Sequence, residues 1–297
     1  MSAPEAHREG APRQWTVLPL LAWAEEYLRA RAFDEARLNV ELLLARALGV
    51  KRLDLYLQFD RPLNAGELAA FRALFRRRLA REPVQYVLGE TEFMGFTLEV
   101  NPAVLIPRPE TEELVEDALS WLRREGRGEA RILEVGTGSG NIAVALGASL
   151  PGASVTTIEV SPAASALAKR NCLRNGVTNV ECVTGDFRAA EFPPRGFDLV
   201  IANPPYVSAA EAALLEPEVR DFEPAGALTD GGDGFTMIRL IVSRGAGLLA
   251  QGGGMFLEIG ASQEEDAAAI ARGAGLTDVT VKKDFAGIGR ILRGFAR

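Results

Sequence analysis

From Ala130 onward, short apolar runs alternate with helix-length segments, and that alternation constrains the fold of this chain more than any other feature. The runs Ile132 to Val135, Val155 to Val160, Val180 to Thr184, Leu199 to Ala202, Met255 to Ile259, Val279 to Lys283 and Arg290 to Leu292 read as strands. Asn141 to Leu150, Ala163 to Asn175, Gly234 to Ala250 and Gln263 to Gly273 read as the intervening helices. Strands and helices in this order predict an α/β fold: a doubly wound, mostly parallel, Rossmann-like sheet. Open sheets of this kind bind ligands beyond the carboxyl ends of their strands, so the residues just after each run are the candidates for chemistry.

The residues before this series are patterned differently. Pro19 to about Arg31 reads as a helix with Leu21, Ala24 and Leu28 on one face. Asp34 is a plausible N-cap for a second helix that stops at Gly49, and Ala65 to Arg81 reads as a third with Leu68, Phe71, Phe75 and Leu79 inward. Arg72, Arg76, Arg77, Arg78 and Arg81 lie off that stripe, either as a solvated face or as a docking surface for an acidic partner. Tyr86, Val87 and Leu88, then Phe93 to Val100, suggest a β-hairpin between Val84 and Val104. The expected organisation is therefore a helical domain over 1–82, a hairpin linker over 83–106 and a catalytic domain over 107–297. At that last junction Pro107 and Pro109 stiffen Arg108, just ahead of a helix opened by Pro109 or Thr111 and running from Glu112 to Arg124.

Composition narrows the chemistry. The chain has one histidine, His7, and two cysteines, Cys172 and Cys182, among 297 residues. Serine-histidine triads, histidine-ligated metals and cysteine-based zinc sites are close to excluded, and both cysteines read as packing residues. A net charge of -7 argues against bulk capture of nucleic acid, which needs many basic phosphate contacts. No apolar stretch approaches the ~20 residues of a membrane span, and Met1 to Gln14 lacks an apolar signal-peptide core, so a cytoplasmic location is expected.

Two strand ends carry the candidate chemistry. Ile132 to Val135 runs into Gly136-Thr137-Gly138-Ser139-Gly140 and then a helix, the context in which glycines let a ligand approach the backbone. The spacing is G-x-G-x-G, not the dinucleotide G-x-G-x-x-G, and no Lys-Ser/Thr follows as in a Walker loop. Glu134, Glu159 and Asp186 ring the pocket; Glu159 ends the next strand about 20 residues on, where an acid holds ribose hydroxyls. Acids suit a cationic ligand better than a pyrophosphate, which points to S-adenosylmethionine, a sulfonium and ammonium with no phosphate.

The second strand end is the run Asp198 to Ala202 that stops at Asn203-Pro204-Pro205-Tyr206. Proline forbids continuation of the strand and holds Asn203 extended, so these residues form either a plain terminator or a stiff acceptor array beside an aromatic ring. Such an array can hold an amide or amino NH2 by its hydrogens.

These residues resemble the class I S-adenosylmethionine-dependent methyltransferases and, more closely, the HemK/PrmC group, which methylates the amide nitrogen of the glutamine in the Gly-Gly-Gln loop of peptide-chain release factors. The resemblance runs through Ala36 to Leu44, Glu82 to Gly89, Ile106 to Glu112, Gly136 to Gly140, Asn203 to Tyr206 and Gly231 to Gly234. It implies that Glu134, Gly136, Thr137, Gly138, Glu159, Phe187 and Asn203 contact the cofactor, whose product is S-adenosylhomocysteine; Asp186 joins them from the ring of acids. It also implies that Asn203, Pro204, Pro205 and Tyr206 meet the substrate, with Asn203, Pro204 and Tyr206 catalytic; Arg108, stiffened between two prolines at the domain junction, is read separately as lining the cleft on the substrate side. Glu134 and Glu159 stand where the group commonly has aspartate, and Phe187 where tryptophan is frequent. A class I release factor is the implied partner of a monomeric enzyme that needs neither membrane nor nucleic acid. Alternatives are a ribosomal-protein glutamine methyltransferase, an adenine-N6 methyltransferase, whose exocyclic amine presents the same two hydrogens, and a non-catalytic cofactor-binding scaffold.

Overall fold

A computed structural model describes residues 14–284 and 286–297, so His7 lies outside the described residues. The chain divides into two compact units, one ending at Leu88 and the other spanning Gly89–Arg297. The first is helical: α1 (Val17–Arg29), α2 (Ala36–Leu48), α3 (Arg52–Leu57), α4 (Ala65–Leu79) and α5 (Val84–Leu88). Leu21, Leu28, Leu43, Leu44 and Phe71 are buried in its core. Gly49 ends α2 in the left-handed region at φ +66°, as a C-terminal glycine does. Asp34 does not cap α2; Glu35 occupies the cap position in a left-handed conformation with no side-chain bond. Helix α4 is closed by a reciprocal pair, in which the Glu67 N–H donates to Asn64 Oδ1 and the Asn64 N–H donates to the Glu67 carboxylate, both at 2.9 Å.

Two expectations for this region are corrected. Val84–Leu88 is helical, and the hairpin begins only at Glu90, because Val84 and Val87 are buried in the helical core instead of alternating across a sheet. The five arginines of α4 and its C-terminal end are not one solvated face. Arg78 is buried, donates to Asn39 Oδ1 at 2.7 Å and lies over Phe33; Arg81 lies over the same ring; and Arg77 forks onto Glu82. Arg72 and Arg76 remain exposed.

The second unit opens with the hairpin β1 (Glu90–Phe93) and β2 (Phe96–Glu99), turning through Met94 and Gly95, both at positive φ. It continues with α6 (Pro109–Arg124), β3 (Arg131–Val135), α7 (Asn141–Ser149), β4 (Ser154–Glu159), α8 (Pro162–Arg174), β5 (Val180–Thr184) and β6 (Phe197–Ala202). Three short helices, α9 (Ala209–Ala212), α10 (Pro217–Phe222) and α11 (Ala225–Leu228), precede α12 (Thr236–Leu248), β7 (Leu249–Glu258), α13 (Glu264–Gly273), β8 (Thr277–Lys283) and β9 (Gly289–Phe295).

The seven-stranded sheet has the order β5-β4-β3-β6-β7-β9-β8, and β9 alone runs against its neighbours. The reason is length: the connection from β8 to β9 is too short for the dozen or more residues that a parallel crossover needs. One face of the sheet packs Ile132, Ile201 and Phe256 against Leu114 and Leu122 of α6 and the apolar side of α7. The other packs Leu133, Val200 and Leu257 against Ile238 and Ile241 of α12 and Ala267 of α13. Cys172 and Cys182 are free thiols packed in the first of these cores. No helix among the described residues is long and apolar enough to cross a membrane.

The topology positions the site. The chain winds outward from β3 through β4 to β5 and returns to β6 on the other side of β3, so the strand order reverses between β3 and β6. Ligands in open sheets bind at that switch point. Register places Glu134 opposite Ile201, and Ala202 opposite Leu257, which brings the glycine turn, Asn203 and Glu258 to adjacent strand ends.

Candidate active site

The glycine turn is held from beneath by its neighbours. Gly136 at φ +84° and Gly138 at φ +52° need the freedom of glycine, and a Cβ on either would meet no atom within 4 Å, which leaves the backbone open to a ligand. The Glu159 carboxylate accepts the N–H of Gly138 at 2.9 Å and that of Ser161 at 2.8 Å, tying the turn to the start of α8. Each oxygen keeps a lone pair for a hydroxyl donor. Thr137 and Thr157, both buried, bond through their hydroxyls.

Asn171 of α8 is fully buried and joins three elements. Its amide NH2 donates to the Ser139 carbonyl at 2.8 Å and the Glu99 carbonyl at 2.9 Å, while its oxygen accepts the Glu99 N–H at 2.7 Å. The hairpin and the glycine turn thus share one side chain. Asn171→Ala would strand one buried and two partly buried polar groups and is expected to cost about 3 kcal/mol of stability, read by denaturant titration, and to weaken binding of the methyl donor.

Glu134 is 0% exposed at the end of β3, and neither carboxylate oxygen has a hydrogen-bond partner among the described residues. Burial pushes its carboxyl well above the usual carboxylate range, and the neighbouring Glu159 adds to the rise. An uncompensated buried carboxylate under an open glycine turn suits a ligand that brings positive charge, as a sulfonium and ammonium do.

At the end of β6, Asn203 Nδ2 donates to Thr111 Oγ1 at 3.0 Å. Thr111, in the first turn of α6 and 1% exposed, is 2.6 Å from Glu258 Oε2. The Tyr206 hydroxyl donates to the other Glu258 oxygen at 3.1 Å. Burial also raises Glu258, against the lowering effect of these two hydroxyls, and both burial and Glu258 push Tyr206 up. The Tyr206 carbonyl is held in turn by Gln263 Nε2 at 3.0 Å, which also donates to the Gly234 carbonyl at 3.1 Å. The four residues of Asn203 to Tyr206 are therefore fixed from two sides, and Asn203 Oδ1 accepts from no group among the described residues.

Comparison with known proteins bears on both units. Residues 19–89 match the family model of the PrmC N-terminal domain, and residues 132–220 match a methyltransferase domain model. A release factor glutamine methyltransferase of Geobacter sulfurreducens is 44% identical over 286 residues, covering 95% of this chain and 98% of that protein. The chain belongs to the release factor glutamine methyltransferase family. A second member, from Bordetella pertussis, is 43% identical over 259 residues, covering 87% of this chain and 94% of its own length. The crystal structure of a methyltransferase from Pyrococcus furiosus superposes with a TM-score of 0.51 at 21% identity, over 75% of this chain and 95% of that one, and shows the shared fold.

Within this family framework the structure brings Glu134, the glycine turn, Glu159 and Asn203 to the switch point, as the sequence motifs suggest. Two of the candidate side chains already have partners within the protein. Phe187 offers no open aromatic face: it is buried beside Phe192, with the Arg244 guanidinium over its ring at 5.0 Å, because an apolar ring next to a core finds core partners. Arg108 is paired with the buried Glu223, which also accepts the Ile106 N–H at 3.1 Å, so its charge is already matched. Asp186 is exposed and accepts the Arg188 N–H at 2.8 Å. Thr111, Asn171, Glu258 and Gln263 were not legible as site residues, since each joins the site through a partner far away in the chain.

Proposed function

We propose that this protein transfers a methyl group from S-adenosylmethionine to the side-chain amide nitrogen of the glutamine in the Gly-Gly-Gln loop of class I release factors. The observation that carries the reading is the direction of Asn203: its NH2 is spent on Thr111, so its oxygen is the atom presented at the strand end. When bound, S-adenosylmethionine supplies an electrophilic methyl on a positively charged sulfur. Glu134, the turn Gly136 to Gly138 and Glu159 are the residues that hold it, with Asp186 and the backbone near Phe187 closing the adenine side.

An amide nitrogen is a poor nucleophile because its lone pair is delocalised into the carbonyl. Asn203 Oδ1 and the Pro204 carbonyl accept its two hydrogens, Tyr206 packs against the planar amide, and the lone pair is left facing the donor. As the nitrogen bonds to the methyl carbon, the carbon–sulfur bond breaks with its electron pair kept by sulfur, S-adenosylhomocysteine is the leaving group, and one N–H proton leaves along these hydrogen bonds toward water. Positioning of this kind supplies several kcal/mol, and fixed dipoles aimed at developing charge add to it. The helical unit ending at Leu88 docks the release factor, Arg108 borders the substrate, and the enzyme works as a cytoplasmic monomer without nucleic acid.

Incubation with isotopically labelled donor and, separately, a release factor, ribosomes or DNA tests the reading. Label is expected in the release factor; label in a ribosomal protein or in adenine instead would replace this substrate with another.

The buried carboxylate of Glu134 gives a pH signature. Its folded value lies above its unfolded one, so the stability it contributes to the free protein is full at low pH and is lost as pH rises through the raised value. A cationic donor prefers the ionised form. Donor affinity is therefore expected to rise across that same interval, with a proton released on binding, and Glu134→Gln is expected to flatten the dependence. Calorimetric titration in buffers of different ionisation enthalpy measures both effects.

A further inference from the structure

The chain Tyr206, Glu258, Thr111, Asn203 does more than fill space. Glu258, the last residue of β7, is 1% exposed and takes one hydroxyl on each oxygen, Thr111 at 2.6 Å and Tyr206 at 3.1 Å. Threonine has a single hydroxyl hydrogen. With that hydrogen committed to the Glu258 carboxylate, Thr111 can only accept from its other neighbour, so the Asn203 atom 3.0 Å away has to be the NH2. A reversed Asn203 amide would set two oxygens facing each other with no hydrogen between them.

We propose that Glu258 is a positioning residue which, acting through the Thr111 hydroxyl, fixes the Asn203 amide with its oxygen toward the substrate and so selects an NH2-bearing glutamine over a glutamate. This inference rests on the substrate reading of the preceding section. Glutamate, ionised or protonated at its far oxygen, offers at most one hydrogen where the array accepts two, and its lone pairs would oppose Asn203 Oδ1. Discrimination then comes from the left-behind polar groups of the site, which is the effective way to reject an isostere lacking a donor.

The direction of the chain depends on the charge of Glu258. The groups whose charge or hydroxyl acts on it are Thr111 and Glu110 from α6, Tyr206 from the segment after β6, and Arg290 from β9, itself bonded to Asp284 at 3.3 Å. Burial and Glu110 favour the protonated form; the two hydroxyls and Arg290 favour the carboxylate. Once protonated, Glu258 can donate to Thr111, whose hydrogen is then free to turn toward Asn203, and the single permitted direction is lost. Turnover by the wild-type protein should therefore show an acid limb above the ordinary carboxylate range.

The test compares Thr111→Val, Thr111→Ser and Glu258→Gln with wild type, using full-length protein, S-adenosylmethionine and a release factor. Thr111→Val is expected to lower kcat about 10- to 100-fold with the release factor KM and donor Kd within about 3-fold, while Thr111→Ser, which restores the hydroxyl, stays near wild type. Glu258→Gln removes a buried ionisable group, so it should melt no lower than wild type while turning over more slowly and without the acid limb. Unimpaired kcat in Thr111→Val overturns the inference alone, as does equal loss in Thr111→Val and Thr111→Ser, which would assign the effect to packing. Absence of transfer to glutamine by the wild-type protein overturns the substrate reading and this inference together.

Discussion

Asn203→Ala is expected to lower methyl transfer to the release-factor glutamine by about 10³-fold, the scale on which removal of one preorganised polar group at a reacting centre acts. The reason is local. Asn203 Oδ1 is the side-chain acceptor at the end of β6, and without it one amide hydrogen of the substrate loses its partner and the lone pair loses its fixed direction. The effect on folding should be small. Asn203 is only partly buried, and the bond it gives up is a single one to Thr111 Oγ1, which keeps its bond to Glu258. A loss near 1 kcal/mol is the expected scale for one such bond. Circular dichroism and thermal melting should thus find a folded protein, donor titration should find measurable binding, and single-turnover kinetics should locate the defect in the chemical step.

Gly234→Ala is expected to have the largest effect on both stability and activity of any single methyl group added to the protein. Gly234 sits at φ +81°, and a Cβ there would lie 2.4 Å from the Tyr206 carbonyl oxygen and 2.9 Å from Gln263 Nε2. Both atoms belong to the clamp that holds the Asn-Pro-Pro-Tyr segment, so the added methyl displaces the segment from behind. Left-handed strain and overpacking each cost about 1 to 3 kcal/mol, and together they are expected to remove about 2 to 6 kcal/mol of stability. Activity should fall about 10²-fold, the cost of misplacing a reacting group by roughly 1 Å. Denaturant titration and kcat, measured on the same preparation, check the pair. Gly247→Ala, within α12, is the control: it has no neighbour within 4 Å of the added carbon and no positive φ, and should leave kcat unchanged while raising stability by about 0.5 to 1 kcal/mol.

The doubly wound sheet was legible because its evidence is local. Val180–Thr184 has the boundaries that its apolar run predicts, and the strand ends before Gly136 and Asn203 are marked by glycine and proline. Where tertiary packing overrides local pattern, legibility fails. Val84–Leu88 has a β-like composition and folds as helix because the helical core takes Val84 and Val87. Strand β7 begins six residues ahead of its apolar run, since Leu249 pairs with Phe197 and Gly254 with Leu199, and the polar and glycine residues between them are taken up by a register shift. The helices between Ala209 and Leu228 are too short to show a period.

The site divides the same way. Glu134, the glycine turn and Asn203 are legible as motifs because backbone conformation at a strand end demands particular residue types. Thr111 and Glu258 are not, because their bond spans 147 positions and either residue alone reads as an ordinary polar group near a helix start or strand end. Asn171 is hidden likewise, 72 positions from the hairpin residue it holds. Motifs thus mark the strand ends where ligands are expected, and only the fold identifies what orients the motifs.

The central claim is that the end of β6 holds a glutamine side-chain amide by its two hydrogens. Its most direct test is peptide mass spectrometry on a release factor after incubation with the enzyme and S-adenosylmethionine, beside the same factor with that glutamine changed to glutamate. One methyl group on the glutamine of the Gly-Gly-Gln loop, fragment ions placing it on the side-chain amide, and no methyl on the glutamate variant is the predicted result. Methylation elsewhere in the factor, or equal methylation of the glutamate variant, would contradict it.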